Sequence, residues 1–164
     1  ISQSEIDYKK VVTGIAYSKN DAKVTLVGVA DKPGVAAAIF EPFEKNNINI
    51  DMVIQTAASN GKKTDVTFTV KREDLFKTLK LIEKNNQYLN YQKIIHDDKV
   101  SKVSIIGAGM ISHPGVVYKM FSALGREQIN ILAISTSEIK ISVLVQEDMT
   151  QKAVKTLHKK FELD

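Results

Sequence analysis

The chain says the same thing twice, and this repeat limits what it can fold into. Lys23-Val-Thr-Leu-Val-Gly28 opens one segment and Lys102-Val-Ser-Ile-Ile-Gly107 opens another. Each is followed by a loop closing in Pro-Gly-Val: Pro33-Gly34-Val35, then Pro114-Gly115-Val116. The amphipathic stretch after each loop ends in Ile-Asn-Ile: Ile48-Asn49-Ile50, then Ile129-Asn130-Ile131. A repeat of this length means two copies of one folding unit. Like units can pack face to face and form pockets at their boundary, which points toward ligand sensing.

In the first copy, Val24 to Val29 is a near-continuous apolar run and reads as a buried strand. Asp31-Lys-Pro-Gly34 is turn chemistry. Val35 to Asn47 has helical spacing, with Val35, Ile39, Phe40 and Phe43 in register and Pro42 placed to kink it or shift its start. Ile48 to Thr56 is a strand, with Ile48, Ile50, Met52 and Ile54 expected on one face. Ser59-Asn-Gly-Lys62 signals a hairpin. Thr64 to Val70 alternates, Val66, Phe68 and Val70 one way and Asp65, Thr67 and Thr69 the other. Arg72 to Asn86 is helical, with Leu75, Phe76, Leu79 and Ile82 as its apolar stripe. Tyr91 to Ile95 is a last short strand. The order predicts an α+β, ferredoxin-like βαββαβ unit, an antiparallel sheet with both helices on one face.

The second copy repeats the order with a strand over Val103 to Ile106, a helix over Gly115 to Glu127, and strands over Ile129 to Ser135 and Ile139 to Val145. Its last helix spans Thr150 to Phe161, with Ala153, Val154, Leu157 and Phe161 facing inward. This copy has no fourth strand of its own, while Val11 to Tyr17 is a strand candidate with no place in the first copy. The N-terminal strand is therefore expected to complete the second sheet, making the first unit (residues 18–99) an insertion in the second (residues 11–17 with 100–164). Units of roughly 70–80 residues are marginal alone, so packing against a sister unit or a second chain is expected.

Composition excludes several classes. Hydrophobic residues make up 43% of the 164, which argues against disorder. The absence of cysteine rules out disulfides and thiolate metal sites. No apolar run approaches the roughly 20 residues of a membrane span, and Ile1-Ser-Gln-Ser-Glu5 lacks a signal pattern. A cytoplasmic protein with no membrane partner is the expectation; an initial Ile rather than Met suggests a piece of a longer chain. The net charge of +4 invites a nucleic-acid reading, but the Lys and Arg residues are interleaved with Asp and Glu. The densest group, Lys152, Lys155, Lys159 and Lys160, reads as a solvated helix face rather than a phosphate-binding one.

No motif carries catalysis. Gly107-Ala-Gly109 after a strand resembles the start of a dinucleotide fingerprint, but Ser112 stands at the third glycine and His113-Pro114 interrupts the helix start. His96, His113 and His158 are far apart and read as surface or loop residues rather than metal ligands. No Ser-His-Asp arrangement or carboxylate pair stands out, and there is no P-loop. The Pro-Gly loops carry more. A loop entering a helix leaves free backbone N–H groups at the helix start, which with the macrodipole bind anions such as a carboxylate. An ordinary strand-to-helix turn is the bland alternative for one loop; two at matching repeat positions strengthen the binding reading. Polar groups on the second strands, Asn49, Asp51 and Gln55, then Asn130, Ser135, Thr136 and Ser137, can hold an amino group or hydroxyl, or can simply form turns.

Together, Val12-Thr-Gly-Ile15, Asp31-Lys-Pro-Gly34, Asn49-Ile-Asp-Met52, Thr64-Asp-Val-Thr-Phe68, Gly107-Ala-Gly-Met110, Ser112-His-Pro-Gly115 and Ser135-Thr-Ser-Glu-Ile139 resemble the regulatory region of aspartokinase. The likeness is to the tandem ACT-domain pair of the lysine- and threonine-sensitive type, also made as a separate β subunit. It runs from about Val11 to Phe161. It implies an ATP- and Mg-dependent kinase domain or α subunit as partner, phosphorylating aspartate, with no cofactor in this segment, and a homodimer formed through the ACT domains. It also implies a threonine site between the first ACT domain and the second domain of a partner chain, matched by Asp31, Gly34, Ala36 and Gln55 on one side and Asn130 and Ile131 on the other. A lysine site is framed by Asp51 with Met110, Gly115, Val116, Ser137 and Glu138. Leu132 stands where lysine-only relatives carry an aspartate, so the comparable carboxylate here is Asp51. Two rivals remain: an ACT sensor of another biosynthetic enzyme, and an RNA-binding βαββαβ module. The second needs exposed aromatics on central strands, and Phe68 falls on the core-facing set.

Overall fold

The computed structural model describes residues 11–57, 61–109 and 113–163. The described residues divide into two compact units, one from residues 20–98, the other from residues 11–19 together with 99–163. The strands are β1 (Val12–Ala30), β2 (Ile50–Ala57), β3 (Lys63–Lys71), β4 (Lys93–Gly107), β5 (Ala133–Thr136) and β6 (Lys140–Gln146). The helices are α1 (Val35–Lys45), α2 (Leu75–Lys84), α3 (Asn86–Leu89), α4 (Pro114–Arg126) and α5 (Thr150–Lys160). Single 3-10 turns, Arg72–Asp74 and Glu147–Met149, precede α2 and α5. No helix among the described residues is long and apolar enough to cross a membrane.

In the 20–98 unit the strand order is β2-β3-β1-β4, and in the other it is β1-β4-β6-β5. Both are the ferredoxin-like order: β3 and β1 lie in the middle of the first, and β4 and β6 in the middle of the second, whose outer strand β1 comes from the N-terminal side of the chain. The N-terminal strand completes the second sheet: Val11 and Val12 are buried in the same core as Val103, Ile105, Ile141 and Val143, and the Thr13 hydroxyl donates to Ile106 O (3.3 Å). Expectation and structure differ in one respect here. Val11–Tyr17 and Val24–Val29 fall in one continuous strand, and so do Tyr91–Ile95 and Val103–Ile106, save that β1 begins at Val12 and β4 at Lys93. The polar stretches between them, Ser18–Asp21 and His96–Lys99, contain neither Gly nor Pro to turn the chain.

Each unit has its own core. In the 20–98 unit Phe40, Phe43 and Phe68 form an aromatic cluster, with ring centroids 5.3–5.8 Å apart and Phe43 and Phe68 fully buried. The other core is mainly aliphatic, around Ile105, Met120, Leu124 and Leu157, with Phe161 at its margin. Pro42 sits inside α1 without ending it, and its carbonyl accepts from Asn46 Nδ2 (2.7 Å). Phe76, expected in the α2 stripe, is 70% exposed with Lys80 Nζ 4.6 Å from its ring. At about 100° per residue it lies roughly a quarter-turn off the line through Leu75, Leu79 and Ile82, and the buried Thr78 takes its place.

The second strand departs more usefully. Ile50 pairs with Val70 and Val53 with Phe68, with a bulge between them. The extra residue breaks the alternation, so Met52 and Ile54 do not share the face of Ile50. Val53 and Gln55 take it instead, opposite Phe68 and Val66, because directly opposed residues of an antiparallel pair project to the same side. In the other unit the strand expected from Ile129 starts only at Ala133; Ile129 is buried below it, and Leu132 N–H donates to Leu144 O (2.8 Å).

Candidate functional site

In the 20–98 unit, β1 ends beside the start of β3. Ala30 pairs with Lys63, and Asp31 N–H donates to Lys62 O at 3.0 Å. The chain then turns through Pro33 into Gly34, the N-cap of α1, whose φ of 86° is a conformation that glycine alone adopts without strain. With no side chain, Gly34 leaves the first-turn amides of Ala36 and Ala37 uncapped, while Val35 N–H is taken by Lys32 O (3.3 Å). No acidic side chain lies in that first turn, so its partial positive charge is not cancelled locally. The C-terminal half of β2 ends at the same edge of the sheet, since Ala57 pairs with Thr64 and Thr64 with Val29. There Val53 lies on the helix-covered face yet is 52% exposed, so the helix layer leaves this end of the edge strand open. Gln55 follows on the same face and is exposed.

The second unit builds the same arrangement. β4 ends at Gly107, whose N–H donates to Ile139 O (2.9 Å). Pro114 opens α4, and His113, its N-cap, supplies no side-chain cap. On the edge strand β5, Ile134 pairs with the fully buried Val143 and so lies on the helix face, yet is 41% exposed. Thr136 follows on that face, opposite buried Ile141, where the first unit has Gln55. Each unit thus offers three parts: an uncapped helix start, an open apolar residue, and one polar side chain beside it. That suits a small zwitterion: the amides take a carboxylate, Val53 or Ile134 underlies an aliphatic part, and the amide or hydroxyl reads a polar group. Nothing in it performs covalent chemistry. No cluster of His, Cys, Asp or Glu able to hold a metal occurs among the described residues.

Asp31, Gly34, Ala36 and Gln55 are all exposed and lie at one end of the 20–98 unit. Asp51, also exposed, sits in the β2 bulge at the opposite end, roughly 13 Å along the strand from Gln55 at about 3.3 Å per residue. In the second unit, Gly115, Ser137 and Glu138 lie at the end marked by Gly107 and Lys140, whereas Asn130 and Ile131 precede β5 at the other. Asn130 is exposed and Ile131 packs against the core. Ser137 closes the β5–β6 turn, its N–H and hydroxyl both donating to Lys140 O (2.8 and 3.2 Å). The Val116 side chain is fully buried and its N–H donates to His113 O (2.9 Å). Met110 lies outside the described residues, as do Ser59 and Asn60 of the hairpin signal.

Sequence reading missed Val53 and Ile134. The aligned Ile-Asn-Ile motifs put them at matching positions, but the bulge, not alternation, decides which face Val53 takes. The RNA reading loses its platform: Phe68 is fully buried, and on the opposite face of β1 and β3 the hydroxyls of Thr25 and Thr67 bond to each other at 2.9 Å.

Comparisons agree with the geometry. Residues 23–87 and 103–161 each match an ACT domain family. An aspartokinase from Corynebacterium efficiens is 47% identical over 154 residues, covering 93% of this chain and 37% of that one. This chain therefore spans well under half the length of such curated relatives. Among solved structures, one of aspartokinase alpha and beta subunits superposes with a TM-score of 0.86 at 46% identity, covering 93% of this chain and 99% of that chain. The ligand-free regulatory subunit of aspartate kinase from Thermus thermophilus gives 0.87 at 34% identity, again covering 93% and 99%.

Proposed function

Because the chain belongs to the aspartokinase family as a tandem ACT regulatory region, we propose that it senses threonine, lysine or both and conveys their binding to an aspartate kinase as feedback inhibition. The kinase activity, with its ATP and Mg, belongs to a partner domain or α subunit in the cytoplasm. One observation carries the reading: both units pair an uncapped Pro-Gly helix start with an open apolar residue and a polar side chain on the edge strand, Val53 with Gln55 and Ile134 with Thr136. Asp31, Gly34, Ala36 and Gln55 receive threonine, with Asn130 and Ile131 of a second copy closing over it. Asp51 takes the lysine ammonium, with Met110, Gly115, Val116, Ser137 and Glu138 on the opposing side. The edge strands leave room for a second copy, so a dimer is the working unit. Inhibition follows if the effector favours one arrangement of that dimer over the other.

Calorimetric titration with each common amino acid, followed by sedimentation at low protein concentration with and without threonine, tests this. Threonine or lysine is expected to release heat and to strengthen self-association by mass action. Binding of a different amino acid alone assigns the module to another enzyme. An unchanged monomer fraction at saturating threonine removes the shared pocket.

A further inference from the structure

The 20–98 unit holds its Pro-Gly loop from outside. The connector between α2 and β4, comprising α3 and residues 90–92, touches both the end of β1 that leads into the loop and the loop itself. At the first end, Gly28 has φ +74°, and a Cβ placed there would lie 2.7 Å from Gln92 Cγ and Cδ. The Gln92 side chain fills the space that glycine leaves, and its N–H donates to Val27 O (2.8 Å). At the other end, Lys32 Nζ lies 5.1 Å from the centroid of the Tyr88 ring. The end of β1 is tied to β3 through Gly28 N–H on Asp65 Oδ1 (3.0 Å), and the loop is tied to the residue before β3 through Asp31 N–H on Lys62 O (3.0 Å). The connector is itself anchored by Leu89, which is fully buried, and by Tyr91, which packs on the same core. Burial, with a smaller contribution from the Glu83 carboxylate, raises the Tyr91 phenol above its ordinary value, keeping it neutral.

We propose that Tyr88 and Gln92 are positioning residues for the effector loop, a clasp that holds Pro33-Gly34 so that the first-turn amides of α1 face the carboxylate of a free amino acid. The proposal rests on the reading of that loop as an effector site. Neither residue needs to touch the ligand. A loop already held in its bound shape loses less conformational freedom on binding, so the clasp raises affinity through order alone. In the second unit the contact found among the described residues is within the loop itself, His113 Nδ1 to Gly109 O at 2.9 Å.

The test compares Tyr88→Leu, Tyr88→Phe and Tyr88→Leu/Gln92→Ala with the unaltered protein. Tyr88 is 59% exposed, so these changes at the ring leave the core in place. Amide hydrogen exchange without ligand reads the loop directly, at the Gly28, Asp31 and Val35 N–H groups. Calorimetry with L-threonine reads the site. Tyr88→Leu is expected to speed exchange across 27–35, leave 113–117 unchanged, and weaken threonine binding by about 2- to 5-fold, the range of an exposed cation–π contact. The double variant extends both effects, and Tyr88→Phe, which keeps the ring, shows neither. Exchange unchanged in Tyr88→Leu, or raised equally by Tyr88→Phe, overturns the clasp. If the unaltered protein binds no threonine while the exchange pattern appears as expected, the clasp stands and the ligand assignment falls.

Discussion

The two units share a strand order but differ in what fills them and in what restrains their loops. The 20–98 unit centres on three phenylalanines and holds its Pro-Gly loop with Gln92, Tyr88 and Asp65, residues drawn from elsewhere in the unit. The other unit packs aliphatic residues with Met120, and its loop, two residues longer, leans on its own His113. One repeat has thus been kept as a scaffold while the restraint on the loop has been reassigned. Among the described residues, a connector that leads on to a strand follows the second helix only in the 20–98 unit.

The largest contrast is expected in the cores. Phe68→Ala removes a fully buried ring in edge contact with Phe40 and is expected to cost about 3–5 kcal/mol. Native-state hydrogen exchange will show the loss in residues 20–98 before 99–164; equal loss in both breaks the picture of separate cores. Next come the ligand preferences. With Asp51 as the proposed partner of the lysine ammonium, Asp51→Ala is expected to remove a charge-assisted contact worth about 1.5–3 kcal/mol, so that lysine affinity falls about 10- to 100-fold while threonine changes much less. Asn130→Ala reverses the preference. Titrating both variants with both amino acids decides it, and equal losses throughout would mean that these side chains only terminate strands.

The loops differ by a smaller amount. Gly28 and Gly109 both have φ near +70°, so an alanine at either meets left-handed strain of about 1–2 kcal/mol. Of these two, and among the described residues, only Gly28 also faces a side chain within 4 Å. Gly28→Ala is therefore expected to lower the urea midpoint more than Gly109→Ala, with Gln92→Ala recovering the difference. Equal midpoints would show that Gln92 swings away freely. The smallest contrast lies in matching hydroxyl pairs. Ser104 and Ser142 bond at 2.7 Å where both are buried, and Thr25 and Thr67 at 2.9 Å where both are partly exposed. Ser142→Ala strands a buried hydroxyl at about 1–3 kcal/mol, whereas Thr67→Val leaves Thr25 access to water and costs under about 1 kcal/mol. Reversed chemical-denaturation midpoints would contradict the burial difference.

Much of the fold was legible because its signals are local and repeated. The Pro-Gly loops, the alternation of Val66, Phe68 and Val70, and a strand candidate left without a partner suffice to place the N-terminal strand in the second sheet. What escaped depends on non-local geometry. A bulge is one residue of register, set by what the neighbouring strand offers, so the face of Val53 could not be read from β2 alone. Phe76 looked like core by composition, but its angular position excluded it. The contacts of Gln92 with Gly28 and Tyr88 with Lys32 join residues 56 or more positions apart in unremarkable polar sequence. The candidate site was legible as motifs, not as which side chains stand open.

The passage of β1 and β4 from one unit into the other without a turn has a consequence for anyone recombining such sensors. A cassette is normally lifted out at loops, where a few residues of slack forgive an inexact cut. Here the borders near Lys19–Asn20 and Asp98–Lys99 fall inside strands. A graft joined there transmits any one-residue error as an inverted face along everything that follows. Exchange of the 20–98 unit between relatives must therefore match strand lengths residue for residue, whereas extra residues are far better tolerated near Gly61, in the turn between β2 and β3.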